Sequence, residues 1–286
     1  MIRVAMVLHR ERPEARQLAS AAAKWLRAHG HESWILDSEH AGIPADDLPS
    51  GPIDGADLVL SLGGDGTMLR AVRLLAGAPV PLLGVNLGQL GYLTEVEPGD
   101  VVEALSRVAL GSEHGKWTLD TRMMLDVEIR HPDGRTVGPL RVLNEVTVEK
   151  STAGESIRLL LRIDDAPFTT FATDGLIVST PTGSTAYALS ARGPVISPRH
   201  RAMLVTPVAP HQLFDRSLVL DPSETVEIEI LGHRDASVVI DGVAVDAAHE
   251  RTRVACRPSE ASAQFVRFGP RPYHQILKAK FGLTDR

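Results

Sequence analysis

LVLSLGGDGTMLRAV, residues 58 to 72, is the stretch on which the reading of this chain turns. Leu58 to Leu62 is an apolar run of strand length. It empties into Gly63-Gly64-Asp65-Gly66-Thr67, after which Met68, Leu69, Val72 and Leu75 recur at helical spacing. Glycines let backbone approach a ligand closely, and a helix start offers unpaired N–H groups at a positive dipole end. Such a turn suits a phosphate. Asp65 adds a negative charge where a plain phosphate cradle would hold none, which makes sense if it handles a hydroxyl proton or a metal in phosphoryl transfer. The bland alternative is a strand-to-helix turn that needs glycine for positive φ, with Asp65 or Thr67 as N-cap.

Working outward, the first third of the chain alternates strand and helix. Ile2 to Leu8 reads as a strand. Pro13 to His29 reads as a helix with Ala15, Leu18, Ala22, Trp25 and Leu26 on one face, closed by Gly30. Ser33 to Leu36 is a short strand, Ile43 to Gly55 a Pro/Gly/Asp-rich loop, Val80 to Val85 an apolar run, and Val101 to Leu110 a helix ended by Gly111. This alternation predicts a Rossmann-like parallel α/β sheet, with ligands at the carboxyl ends of the strands, where Asp65 lies. Near Trp117 the character changes to short alternating runs: Leu125/Val127/Ile129, Val146/Val148, Leu159/Leu161/Ile163, Val226/Ile228/Ile230 and Val238/Ile240. The turn signals His131-Pro132-Asp133-Gly134, Asp164-Asp165, Asp221-Pro222-Ser223 and Asp241-Gly242 separate them, predicting antiparallel β structure. Tyr273 to Phe281 reads as a helix that returns to the first domain. The expected division is 1–116 with 272–286 as the α/β domain, and 117–271 as the β-rich domain.

Composition narrows the function. With 286 residues and 43% hydrophobic content the chain can bury a large core. No run reaches the ~18 apolar residues of a membrane span, and Ile2 to Leu8 shows no signal-peptide pattern. The single cysteine, Cys256, excludes an internal disulfide and a cysteine-rich zinc site, and fits a reducing cytoplasm. A net charge of −6 argues against nucleic acid as a partner, though not against nucleotides. The eleven histidines show no metal-ligand spacing, and no metal site is assigned.

A second constellation lies inside the β-rich region. TDGLIVSTPTGSTAYALS, residues 173 to 190, crowds hydroxyls from Ser179 to Thr185 ahead of a short helix predicted over Thr185 to Leu189. Hydroxyls and helix-start amides suit phosphate, ribose or amide groups, although Ser/Thr/Gly/Pro clusters are also ordinary loops. Asp174-Gly175 and Asn144-Glu145 are ambiguous in isolation. The chain carries no G-x-x-x-x-G-K-[ST], G-x-G-x-x-G, HExxH or G-x-S-x-G motif. ATP, if bound, is held by another device.

Together these segments resemble the NAD kinase family over nearly the whole chain. The resemblance rests on Gly63 to Thr67, Gly84-Val85-Asn86-Leu87-Gly88-Gln89-Leu90-Gly91-Tyr92-Leu93, Leu143 to Val146, and Asp174 to Leu176 through Ser184 to Tyr187. Pro210-His211 and Lys280-Phe281-Gly282-Leu283 also fit. The first motif is shared with lipid kinases and phosphofructokinases, whereas the 174–187 segment is highly specific in order and spacing. The resemblance implies transfer of the ATP γ-phosphoryl to the 2′-hydroxyl of the adenosine ribose of NAD, with Mg²⁺ or another divalent cation. It implies Asp65 as acceptor of the hydroxyl proton, and Gly63, Gly64, Gly66, Thr67 and Arg70 at the phosphates. Tyr92 would border adenine, Asn144 and Glu145 would hold ribose hydroxyls, and Asp174 would meet the nicotinamide end. Thr182, Thr185, Ala186, Tyr187, Ala188, Leu189 and Ser190 would complete the NAD site, which is expected between the domains.

Two positions depart from the family pattern. Ala172 stands where many members carry a basic residue, and Val243 where many carry glutamine. The loop His9-Arg10-Glu11-Arg12 also differs from common versions. With few aromatics (4%), adenine is expected against aliphatic walls and backbone groups. The alternatives are a lipid kinase of the same superfamily, which should show an apolar entrance for an acyl chain, and a non-catalytic nucleotide-binding regulator, which would not need Asp65. The many short strands of the β-rich half need edge cover, and the resemblance implies a homo-oligomer, dimer or tetramer, built through that half.

Overall fold

The computed structural model describes residues 1–36, 48–88, 91–270 and 272–283. The chain divides into two compact units, Met1–Thr121 with Ala263–Arg286, and Arg122–Ser262. The division falls inside two long strands, β6 (Thr118–Arg130) and β17 (Arg253–Arg267), rather than at the expected 116/117 and 271/272. Part of the predicted 43–55 loop and Gln89-Leu90 of the second motif lie outside the described residues.

The first unit is a parallel sheet of β1 (Arg3–Leu8), β2 (Glu32–Leu36), β3 (Ser50–Gly51), β4 (Leu58–Gly63) and β5 (Leu82–Asn86), in the order β5-β4-β1-β2-β3. Leu62 pairs with Leu8 on one side and Val85 on the other, so three strands end together beside the glycine turn. β4 is buried at all six positions, as a parallel strand covered on both faces should be. Helix α1 (Pro13–Ala28) starts with proline at its first position and buries Ala15, Ala19, Ala22, Ala23 and Leu26. Gly30 (φ 75°) turns the chain out of it, as the sequence predicts. Helix α2 (Asp65–Leu75) buries Met68, Ala71, Val72 and Leu75, and α3 (Val101–Ala109) buries Val101, Ala104, Leu105 and Val108. A single turn, α4 (Gly111–Gly115), follows it. The end of β17 joins this sheet, Phe265 pairing with Leu82.

The second unit is antiparallel β, as the alternating runs predict. One sheet runs β13 (Leu218–Leu220), β12 (Met203–Val208), β11 (Gly175–Ser179), β8 (Glu145–Lys150), β15 (Ala236–Ile240) and β16 (Val243–Ala248). The remaining strands run in the order β10 (Ala166–Thr173), β9 (Ile157–Ile163), β14 (Val226–Leu231) and the first part of β17, and β6 forms a hairpin with β7 (Thr136–Val142). The core joins Leu125, Val127, Val146, Val148, Leu159, Leu161, Phe171, Leu176, Val178, Ile228, Val238 and Ile240. Asp164-Asp165 and Asp241-Gly242 all have positive φ, the mirror-image hairpin geometry their sequence signals.

The predicted helix over Thr185 to Leu189 is instead split. A 3₁₀ turn covers Gly183–Thr185, and α5 covers Tyr187–Ser190. Ala186 (φ −99°, ψ −125°) interrupts them. The last helix, α6 (Tyr273–Lys280), packs on the first unit as expected: Tyr273 lies 6.2 Å from the Tyr92 ring, and Lys280 Nζ sits 4.6 Å over it.

Candidate active site

Each unit carries one cluster of the residues singled out in the sequence. In the first, the strand-to-helix turn differs from the bland alternative in both particulars. Gly63, Gly64 and Gly66 all avoid positive φ. The N-cap of α2 is Gly64, with no side-chain cap bond from Asp65 or Thr67. The Asp65 carboxylate turns to the 91–94 segment: Oδ2 accepts the Tyr92 amide at 2.7 Å and Oδ1 the Leu93 amide at 2.9 Å. Carboxylate oxygens can accept further bonds through their remaining lone pairs. Gly91 is needed here, since a Cβ on it would stand 2.3 Å from Asp65 Oδ1.

The three turn glycines have different duties. A Cβ at Gly63 would lie 2.1 Å from Thr67 Oγ1, so packing within the turn demands glycine. At Gly64 and Gly66 a Cβ would meet nothing within 4 Å. No contact among the described residues requires those two, and both line a cavity of about 270 Å³ with His9, Arg12, Thr67, Arg70, Asn86 and Gly88. Arg70 donates to the Leu8 carbonyl and Arg12 to the Leu87 carbonyl, which aims both guanidinium groups from the strand ends. Two cations, glycine backbone and a helix start around one cavity are chemistry that suits a polyanion.

Behind this turn, the Tyr92-Leu93 segment is itself fixed. Buried Arg267 donates to the Leu93 carbonyl at 3.0 Å and pairs with Glu95 at 3.1 Å and Asp120 at 3.2 Å. The amides that orient Asp65 thus belong to a braced strip of chain.

In the second unit, β8 begins at Glu145 and β11 ends at Ser179, which pair directly. This places Asn144-Glu145 beside the hydroxyl-rich loop. Gly183 packs on Asn144 so closely that a Cβ would lie 2.2 Å from the Asn144 carbonyl oxygen. Several hydroxyls expected to face a ligand are instead bonded within the protein. Thr180 Oγ1 donates to the Leu143 carbonyl at 2.6 Å, and Ser184 Oγ donates to Pro181 at 2.8 Å and accepts from Ile196 at 2.9 Å. Thr182 Oγ1 is buried and accepts from Arg122 at 3.4 Å; Thr185 Oγ1 reaches the Thr182 carbonyl. Ala188 is fully buried against Ile177 and Leu204, so its side chain serves the core. Tyr187 and Ser190 are exposed, and Asn144, Thr185, Ala186 and Leu189 are half-buried.

Glu145 is buried, and among the described residues its Oε2 has no hydrogen-bond partner. Burial, then the nearby Asp241 charge, pushes its carboxyl from 4.5 up to about 8, against a hydrogen bond from the Tyr187 backbone. A buried orphan oxygen of this kind calls for a bonding group from outside the chain. Asp174 is half-buried and paired with Lys150 Nζ at 2.7 Å. Burial, with Glu149 and Asp174 nearby, raises the Tyr187 phenol above its ordinary range.

The sequence reading quoted His9, Arg12, Asn86, Gly88 and Asp241 without giving them a place in the site, and did not single out Lys150. His9 and Arg12 carried a readable signal, since they follow the carboxyl end of β1, where open parallel sheets bind ligands. Lys150 and Asp241 carried none, because their partners are remote in sequence. Of the two departures, Ala172 stands opposite Arg158 in the β9–β10 ladder, and Val243 opens β16 with an exposed side chain.

Comparison with known proteins joins the two clusters to one family. The ATP-NAD kinase N-terminal domain matches residues 46–112, and the ATP-NAD kinase C-terminal domain residues 143–268. NAD kinase of Syntrophotalea carbinolica is 35% identical over 291 residues, covering all of both chains. That of Corynebacterium diphtheriae is 38% identical over 300 residues, covering 98% of this chain and 91% of its own. Yeast NADH kinase complexed with NADH shares the fold at a TM-score of 0.91 and 21% identity, covering 100% of this chain and 89% of that one. An Archaeoglobus fulgidus NAD kinase in complex with ATP matches at 0.72 and 24% identity, covering 98% of each. A glycine turn that presents a braced aspartate beside a cationic cavity, and a second unit with a buried, unsatisfied glutamate, now have a common explanation: the chain belongs to the NAD kinase family.

Proposed function

We propose that this chain transfers the γ-phosphoryl of ATP to the 2′-hydroxyl of the adenosine ribose of NAD, releasing NADP and ADP, with Asp65 as general base. The supporting observation is the Asp65 carboxylate, fixed by two amides between Gly64 and Gly66, which line the cationic cavity. Asp65 accepts the 2′-hydroxyl proton as the ribose oxygen bonds to the γ-phosphorus and the bond to the β-phosphate bridge breaks. Phosphoryl transfer asks the protein mainly for positioning and charge neutralisation. Arg12, Arg70 and the amides beside Gly64 and Gly66 supply the latter.

Magnesium fits as an ion carried in by the triphosphate. The described residues hold no group of three or more His, Cys, Asp or Glu able to cage a metal. Mg²⁺ commonly keeps several waters and takes one or two carboxylates plus substrate phosphates, and the spare lone pairs of Asp65 suit that arrangement. It would supply further neutralisation of phosphate charge.

For NAD, Asn144 and Glu145 hold ribose hydroxyls, Tyr92 borders adenine, and Asp174, steadied by Lys150, meets the carboxamide of the nicotinamide. The solvent-facing members of the 182–190 segment complete the site. No helix among the described residues is long and apolar enough to cross a membrane; the single cysteine fits a cytoplasmic location, and kinship with the family fits a homo-oligomer. Incubation with ATP, Mg²⁺ and NAD should yield NADP. Absence of NADP at high enzyme concentration, with phosphorylation of a diacylglycerol instead, would move the assignment to a lipid kinase.

A further inference from the structure

Asp241 lies in the β15–β16 turn, remote in sequence from every segment assigned to the nucleotide. Its carboxylate accepts three consecutive amides: Leu143 at 3.0 Å, Asn144 at 2.8 Å and Glu145 at 3.2 Å. Its own amide donates to the Glu145 carbonyl at 3.0 Å. Four hydrogen bonds thus tie one residue to the three that lead into β8. Consecutive amides converging on one anion form a nest, and hydrogen bonds to an ionised acceptor are about twice as strong as neutral ones. The turn is built to deliver the carboxylate, for Asp241 (φ 47°) and Gly242 (φ 79°) both occupy the left-handed region. From the other side, the Thr180 amide donates to the Asn144 carbonyl at 2.9 Å. The Asn144 backbone is therefore held at both its N–H and its carbonyl, which fixes the half-buried Asn144 and the buried Glu145 at the bend.

We propose that Asp241 is a positioning residue for NAD, acting through Asn144 and Glu145 without touching the nucleotide. The proposal rests on the assignment of those two residues to the ribose. Holding a contact residue within a fraction of an ångström is what binding and transfer geometry require. Its loss should fall on NAD and spare ATP, whose cavity in the first unit shares no residue with this bend.

The test is steady-state kinetics on the full-length enzyme, with Asp241→Ala, Asp241→Asn and Asn144→Ala compared with wild type and thermal midpoints measured alongside. Asp241→Ala should raise the KM for NAD about 10-fold or more while the KM for ATP stays within twofold. Asp241→Asn keeps one acceptor oxygen and should recover part of that loss. Asn144→Ala should raise the NAD KM on its own. Unchanged NAD KM in both Asp241 variants, equal shifts for NAD and ATP, or failure of Asp241→Asn to fold would each overturn the proposal, the last by assigning Asp241 to the fold. An unchanged NAD KM in Asn144→Ala would instead strike the underlying ribose assignment.

Discussion

Glu145 shows how one side chain links fold and function. Its carboxyl is raised from 4.5 to about 8, by burial first and Asp241 second. Between those values the folded protein keeps a proton that the unfolded chain has released. The contribution to stability is therefore full below about pH 4.5 and is lost as pH rises through about 8. At about 1.4 kcal/mol per pH unit the total is a few kcal/mol at most. Glu145→Gln removes this titration, so its thermal midpoint should fall less than that of wild type between pH 5 and pH 8. Parallel midpoint curves for the two proteins would contradict the assignment of a buried, protonated Glu145. The residue was legible in the sequence as half of Asn144-Glu145. Its protonation was not, because that depends first on burial and then on Asp241, both set by the tertiary structure.

At the scale of the element, the strand-turn-helix of β4 and α2 separates fold from function within three glycines. Gly63→Ala forces a Cβ against Thr67 and should cost about 1–3 kcal/mol, as overpacking does. At roughly 2–4 °C per kcal/mol this is a visible drop in thermal midpoint. Gly64→Ala meets nothing among the described residues and should leave the midpoint within about 1–2 °C, while its methyl group should intrude on ligand space and raise the KM for ATP roughly 10-fold or more. Calorimetry on both variants with ATP kinetics on Gly64→Ala checks the contrast; a normal ATP KM in the latter would remove the cavity from the phosphate site. Apolar periodicity made this element, α1 and the paired β-runs readable. β10 and β17 went unread because Phe168-Thr169-Thr170-Phe171 breaks strict alternation and Pro258 interrupts the last strand. The hydroxyl cluster does form a loop, but Thr180 and Ser184 donate to the backbone of Leu143 and Pro181, a use that composition cannot distinguish from ligand binding.

For the whole molecule, the second unit exposes an apolar group that a solitary chain has little reason to keep. Phe168 and Phe214 meet edge to face at 5.6 Å, both partly exposed, beside a fully exposed Leu213. Such a group would suit an association surface, and light scattering at micromolar concentration should show a homo-oligomer, a tetramer being the expected size. A monomer would contradict it.

The account depends most on Asp65 as the base. Asparagine at this position retains one acceptor for the Tyr92 and Leu93 amides but faces the other with an N–H₂ group, so one positioning bond is lost with the charge. The decisive measurement is therefore kcat for NADP formation by Asp65→Asn, with NAD and ATP binding and the thermal midpoint measured on the same preparation. The account predicts kcat lower by about 10²–10⁴-fold, the range of a lost general base, with a folded protein that still binds both nucleotides. A folded variant that keeps more than about a third of wild-type kcat, far too small a loss for a missing base, would contradict it.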